Sequence, residues 1–181
     1  VRIHLEEKDE FKLTPEKLKA AITPKTKVML INFPSNPTGG AMTREDYEKL
    51  VPIIKESGII VISDEIYAEL SYEEPFCTLA SFPEIRDQIV VINGFSKAYA
   101  MTGWRLGYVL ANPVLSKAMC KIHQYIIMSA PTGAQYGAID GLRHCDKEVE
   151  EMRASYLSRR NFIVKTFNDM GLHTFNPMGA F

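Results

Sequence analysis

The sequence predicts an α/β fold built on a mixed, mostly parallel sheet. Short apolar runs alternate with amphipathic helical stretches: Val28-Met29-Leu30-Ile31, Ile59-Ile60-Val61-Ile62 and Ile89-Val90-Val91-Ile92. That alternation is the mark of buried parallel strands covered by helices. A fourth run, Leu106 to Ala111, returns after a single loop. The last two runs therefore form a hairpin, and one strand is antiparallel.

Taken in order, Val1 to Leu5 alternates weakly and reads as a short strand, followed by a charged turn, Glu6 to Glu10. Thr14-Pro15-Glu16 opens a helix with a hydroxyl cap and a proline at its first position, and Leu18, Ala21 and Ile22 share its apolar face. After the first buried strand, Phe33-Pro34-Ser35-Asn36-Pro37-Thr38-Gly39-Gly40 is dense in turn formers. It reads either as a plain strand-to-helix loop or as a ligand loop, since α/β sheets hold ligands at the carboxyl ends of their strands. Thr43-Arg44-Glu45-Asp46 opens the next helix with a capping box, and Tyr47, Leu50, Val51 and Ile54 form its stripe. Pro52 removes a backbone donor inside that helix and is expected to bend it. Gly58 suits a left-handed cap.

Ser63-Asp64-Glu65-Ile66-Tyr67 leaves the end of the second strand. Asp64 there is either a helix cap or a carboxylate facing a ligand. Leu70 to Gln88 is a polar connection whose length suggests a surface excursion, with a short helical turn near Glu84. Beyond the hairpin, Asn112-Pro113 starts a helix with Leu115, Met119, Ile122 and Ile126 in register, and a second runs from about Thr132 to Leu142. Their apolar, Met-rich faces read as core. Asp146 is expected to cap a long helix that runs to about Met170 and ends at Gly171, after which Leu172 to Phe175 reads as the start of a further sheet.

Composition bounds the function. The chain has 181 residues, 46% hydrophobic and 24% charged, in the ordinary globular range. A net charge of −1 points to neither nucleic acid nor an anionic membrane. No apolar run approaches a membrane span and no signal-peptide pattern opens the chain. Cys77, Cys120 and Cys145 lack CxxC spacing, which argues against a disulfide framework or zinc site and fits a reducing cytosol. His144-Cys145-Asp146 is too contiguous to converge on one metal ion. The expectation is a cytoplasmic protein without a metal, nucleic-acid or membrane partner.

The hairpin loop carries the chemistry. It holds one lysine, Lys97, and one arginine, Arg105. A lysine between two buried strands is costly to keep charged, and a free amine attacks carbonyls. An arginine grips a phosphate with a planar fork of donors. An amine for an aldehyde and a fork for a phosphate together suggest pyridoxal phosphate.

The full string is more specific. Gly94-Phe95-Ser96-Lys97, then Ala100-Met101, then Gly103-Trp104-Arg105-Leu106-Gly107, closely resembles the cofactor-lysine signature of the class I/II aminotransferases. The resemblance runs from about Phe11 to Phe181. It implies a fold type I enzyme with pyridoxal 5'-phosphate as cofactor and a three-layer large domain. Residues 1–145 would be part of that domain, 146–170 a helix connecting it to a small domain, and 171–181 the start of the small one. It also implies a dimer, with the 113–142 region helping to form its interface.

Site roles follow from the same resemblance. Lys97 would carry the cofactor and then move the Cα proton of the substrate. Asn36, in the family's Asn-Pro-Thr-Gly element, and Tyr67 would hydrogen-bond the cofactor's phenolic oxygen. Asp64 would pair with its ring nitrogen, and Arg105 would anchor its phosphate. Ser96 is a further phosphate contact, although many relatives place a serine three positions before the lysine, where this chain has Gly94. Glu65 also fits the family's pattern but has no assigned chemistry. The resemblance places an upstream phosphate turn and a ring-stacking aromatic before Val1, and a carboxylate-binding arginine after Phe181, so the chain is expected to be an internal piece of a longer protein. The activity implied is transamination between an amino acid and a 2-oxo acid. The same motifs also fit a carbon–sulfur β-lyase, an aminocyclopropane-carboxylate synthase, or a non-catalytic ligand-sensing domain on this fold.

Overall fold

The computed structural model describes residues 1–180. Its sheet runs β1 (Val28–Asn32), β2 (Ile60–Asp64), β3 (Ile89–Gly94) and β4 (Gly107–Leu110), in that spatial order. The first three strands are parallel and β4 is antiparallel to β3, as the hairpin requires. α1 (Pro15–Ala21) precedes β1, α2 (Arg44–Ser57) lies between β1 and β2, and α3 (Pro113–Ile126), α4 (Thr132–His144) and α5 (Asp146–Asp169) follow β4. Among the described residues, no helix is long and apolar enough to cross a membrane.

Local chemistry sets the helix ends. The Thr14 hydroxyl accepts the Lys17 amide, and Thr43 and Asp46 close a reciprocal capping box. Gly58 ends α2 at φ 64°, where a side chain would be strained. α2 continues through Pro52 to Ser57. Its stripe, with Leu18 of α1, packs onto Ile31, Val61 and Val91 of the sheet in one core. Alternation along a strand decides the rest. Val61 and Ser63 face this core, whereas Val28 and Leu30 of β1 face the other way and are exposed. Their continuous apolar run predicts burial on both faces. Among the described residues only one face of β1 is closely covered.

Several expectations are corrected. Val1 to Leu5 forms no strand; Ile3 and Leu5 lend side chains to the core while their backbone stays outside the sheet. The connection after β2 is not a surface excursion. Leu79, Phe82 and Ile85 are buried, because residues three apart stack on one side of successive 3-10 turns at Leu79–Ser81 and Arg86–Gln88. Gln88 pins this segment by donating to the Ile54 and Ile59 carbonyls, each at 2.9 Å. Asp146 does not cap α5. Cys145 alone separates α4 from α5, so Asp146 is already helical and no side chain caps the end.

The outer faces of α3 and α4 are not core either: Val114, Ile122, Tyr125, Ile126, Tyr136 and Ile139 are exposed. The buried face of α4 is its small-residue face, Ala134, Ala138 and Gly141. Leu172 to Phe175 is not a strand; Asn168 at the end of α5 instead holds both the amide and the carbonyl of Thr174, at 3.1 Å each. Of the segment expected to begin a small domain, Phe181 lies outside the described residues.

The segment 176–180 ties distant parts together. The amides of Met178 and Gly179 donate to the Gly39 carbonyl at 2.8 and 3.2 Å, and the Ala180 amide donates to the Leu70 carbonyl at 3.0 Å. The Tyr72 amide donates to the Met178 carbonyl at 2.9 Å. Phe33-Pro34 and Asn36-Pro37 are cis peptides in the loop so held. Two glycines make this packing possible. A Cβ on Gly39, at φ +72°, would lie 2.1 Å from Pro177 Cβ, and one on Gly179 would lie 2.6 Å from Pro34 Cβ.

Gly179→Ala is therefore expected to destabilise the whole protein by about 1–3 kcal/mol, the usual range for overpacking. Gly103→Ala, where an added Cβ meets nothing within 4 Å, should be close to neutral. Denaturant midpoints of the two variants check this; equal midpoints would remove the close-approach argument.

Candidate active site

The strand register brings the site together. Asn32 of β1 pairs with Asp64 of β2, and Asp64 pairs with Ile92 of β3. β1 and β2 thus end at one level and β3 runs two residues further, to Gly94, and the loops that follow carry Asn36, Tyr67 and Lys97. Alternation places Asn32 and Asp64 on the same face as Leu30 and Ile62, opposite the α1–α2 layer.

Three of the sequence-predicted residues, Asn36, Tyr67 and Lys97, meet there directly, whereas Asp64, Ser96 and Arg105 bond within their own local segments. The Asn36 side-chain amide donates to the Tyr67 hydroxyl at 3.0 Å. A phenol that accepts a hydrogen bond can donate one at the same time, and an amide NH₂ carries a second hydrogen. The pair therefore presents two donor groups side by side. Tyr67 is buried, held by a turn in which the Ala68 amide donates to the Glu65 carbonyl at 2.9 Å. Lys97 Nζ sits over the Tyr67 ring, 5.6 Å from its centroid. Asp64 is partly buried, and its Oδ1 accepts the Ile66 amide at 3.1 Å. Both sequence readings of Asp64 thus have a physical basis: it caps the following turn through one oxygen and lies at the strand end with the other residues.

The lysine hairpin is braced from behind. The Ala100 amide returns to the Lys97 carbonyl at 3.1 Å and the Met101 amide to the Phe95 carbonyl at 3.2 Å. The Thr102 hydroxyl donates to the Ser96 carbonyl at 2.9 Å, and Arg105 Nη1 donates to the Thr102 carbonyl at 2.8 Å. Ser96 and Arg105 are thereby joined through one threonine. Arg105 itself is exposed, at φ 55°. α4 backs this loop: a Cβ on Gly141 would come within 3.3 Å of the Tyr99 ring, and one on Gly137 within 3.4 Å of Trp104.

The donor set fits pyridoxal phosphate on its chemistry. It offers an amine, a donor pair suited to a phenolic oxygen, a carboxylate at a strand end, and an exposed guanidinium joined to a serine. Sequence reasoning left out the supports of this set. The 176–180 segment has no motif of its own. Glu65 carries a signal, being charged and one residue from Asp64, but its function is inward. It is 3% exposed and accepts from the Ser63 hydroxyl at 3.0 Å and the Thr78 hydroxyl at 2.9 Å. Burial pushes its carboxyl above the ordinary carboxylate range, with the Asp64 charge adding to the effect against those hydrogen bonds.

Known proteins match this arrangement. The family model for aminotransferase class I and II matches residues 1–181. An aspartate aminotransferase of Pyrococcus abyssi is 40% identical over 184 aligned positions, covering all of this chain and 47% of the relative. Aromatic-amino-acid aminotransferase 2 of Thermococcus litoralis is 38% identical, with the same coverage. The crystal structure of an aromatic aminotransferase from Pyrococcus horikoshii superposes with a TM-score of 0.96 at 40% identity, over all of this chain and 49% of that one. The chain thus spans about half the length of the curated relatives it matches.

The raised Glu65 carboxyl sets a pH dependence. A carboxyl whose folded pKa lies above its unfolded value, ordinarily 4.5, contributes stability that is fully present below that value and lost as pH rises through the folded one. Glu65→Gln keeps an acceptor for Ser63 and Thr78 without the charge. Its thermal midpoint relative to the parent should therefore rise as pH increases from 4.5 towards 8. A difference that stays flat with pH would show that Glu65 does not titrate in this window.

Proposed function

The chain belongs to the aminotransferase class I and II family, and from that premise we propose that the whole protein carrying it is a pyridoxal 5'-phosphate-dependent transaminase. It would move an amino group between an amino acid and a 2-oxo acid by a ping-pong cycle. Relatives named for aspartate and for aromatic amino acids support that substrate class. The observation that carries the reading is the convergence at the ends of β2 and β1: Asn36 bonded to Tyr67 at 3.0 Å, with Lys97 over the same ring.

When bound, the cofactor supplies an aldehyde for an amine and a ring that draws electrons away from the substrate's Cα. The chain's own residues do the rest. Lys97 holds the cofactor through its amine and, once displaced by substrate, serves as the base and acid for the Cα proton. Asp64 keeps the ring nitrogen protonated by pairing with its charge. Asn36 and Tyr67 donate to the phenolic oxygen. Arg105 binds the phosphate with its fork of donors, and the Ser96 hydroxyl is its neighbour in that task.

The same reading covers the organisation. Residues 1–145 belong to the large cofactor-binding domain, 146–170 form the connecting helix, and 171–181 begin the small domain. A homodimer is supported by the exposed apolar row on α3 and α4, including Val114, Ile122, Tyr125, Ile126 and Ile139, which is costly to leave in water. A cytoplasmic location is supported by three cysteines that are all free.

Borohydride reduction of the cofactor-loaded whole protein, followed by peptide mapping, should label Lys97. Lys97→Ala should abolish both labelling and turnover, and label on another lysine would overturn the assignment. Asp64→Asn should lower turnover by several powers of ten with modest loss of cofactor affinity, because an amide cannot hold the ring charge. Arg105→Ala should do the reverse, raising the cofactor dissociation constant more than it lowers the saturated rate. Equilibrium dialysis alongside steady-state rates separates the two patterns.

A further inference from the structure

Arg160 lies on α5, far in sequence from every residue in the site, and its side chain is 7% exposed. A buried guanidinium is costly unless its donors are used. Here the two terminal nitrogens are used, on Glu73 and on the start of the 176–180 segment, while Nε is left without a partner among the described residues. Nη1 donates to Asn176 Oδ1 at 2.7 Å and to the Pro177 carbonyl at 3.1 Å, and Nη2 pairs with Glu73 at 2.6 Å. The guanidinium also stacks over Tyr72, 5.4 Å from the ring centroid.

Asn176 and Pro177 open the 176–180 segment, and that segment clamps the two loops that bring Asn36 and Tyr67 together. On one side, Met178 and Gly179 hold the Gly39 carbonyl, while the Gly39 amide returns to the Ser35 carbonyl at 2.7 Å. This closes the loop around Asn36. On the other side, Gly179 bridges to Ser71 and Ala180 donates to Leu70. The Leu70 amide in turn holds the Tyr67 carbonyl at 2.9 Å, and the Tyr72 hydroxyl donates to the Ala180 carbonyl. The contacts form one chain: Arg160, the 176–180 segment, the Gly39 and Leu70 carbonyls, then Asn36 and Tyr67.

We propose that Arg160 is a positioning residue for the Asn36–Tyr67 pair, acting through the 176–180 segment that it anchors. The inference rests on the reading of that pair as the donors to the cofactor's phenolic oxygen. Donors there stabilise the oxygen's negative charge and make it a poorer site for a proton, so they lower the pH at which the bound cofactor's visible band titrates. Loosening Arg160 relaxes the pair's alignment and raises that pH.

The test uses the whole protein loaded with pyridoxal 5'-phosphate and reads the pH midpoint of its visible absorption. Arg160→Met keeps the stem against Tyr72 but removes every donor, and should raise the midpoint by about half a unit to one unit, the equivalent of one weakened hydrogen bond. Arg160→Lys, which keeps the charge but not the fork, should fall between Arg160→Met and the parent. In an Asn36→Ala background, Arg160→Met should add a smaller shift than in the parent, since only the Tyr67 side of the pair remains for it to act on. Asn176→Ala, a milder change, should shift the midpoint in the same direction and serves if Arg160→Met does not fold. A lowered melting temperature with an unmoved midpoint in both Arg160→Met and Asn176→Ala would make Arg160 a structural residue only and overturn the proposal. Tyr67→Phe separates the two levels. If it shifts the midpoint and the Arg160 variants do not, the reading of the pair stands and the role of Arg160 falls. If Tyr67→Phe also leaves it unmoved, both fall.

Discussion

The parallel pairing of β1, β2 and β3 is the constraint on which the rest of the molecule depends. Parallel strands need a crossover between them, and each crossover here brings a loop back to the same end of the sheet. With Asn32, Asp64 and Ile92 in register, the Asn36 loop, the Asp64–Tyr67 turn and the Lys97 hairpin all start from the same end of the sheet. A register slip of one residue would turn Asp64 to the core face and bring Ser63 to the site. The core prevents that, because Val61 and Ser63 are buried on one face while Ile62 and Asp64 lie on the other.

Register sets where the loops begin but not how their side chains meet. Loops relax unless their backbone groups are occupied. The hairpin is occupied from within, by its own short hydrogen bonds, and from behind by the small-residue face of α4. The Asn36 loop has fewer internal bonds and depends on a segment distant in sequence, packed so closely that Gly39 and Gly179 admit no Cβ. The two halves of the site are thus held by different means, one local and one long-range. The long-range half is the one that α5 reaches through Arg160.

What the sequence discloses follows the same division. The four strands of the sheet, the caps at Thr14, Thr43 and Gly58, the hairpin and the lysine string are local signals, and each stands where its pattern puts it, unlike the weaker strand patterns at 1–5 and 172–175. The Asn36–Tyr67 contact also follows, since both residues sit just past the ends of adjacent strands. The 176–180 segment does not, because nothing in its composition says which backbone it will pair with. The core turns at Leu79, Phe82 and Ile85 were hidden by polar neighbours. The apolar faces of α3 and α4 carry a true periodic signal, but periodicity says only that a face avoids water. It does not say whether the same chain or another surface covers it.

The dipeptide Asp64-Glu65 shows how one strand end serves both the core and the site. Two carboxyl side chains on adjacent residues point to opposite sides as the chain leaves β2. Asp64 stays partly exposed among the residues of the site. Glu65 enters the core, where Ser63 and Thr78 supply its hydrogen bonds and burial disfavours its charge. A neutral, hydrogen-bonded Glu65 would leave Asp64 as the one negative charge at this point. An ionised Glu65 would place a second negative charge beside Asp64, and that neighbouring charge adds to the burial that holds the Glu65 carboxyl up. The same burial anchors the turn on which Tyr67 rides, so the core contact of Glu65 supports the placement of a site residue.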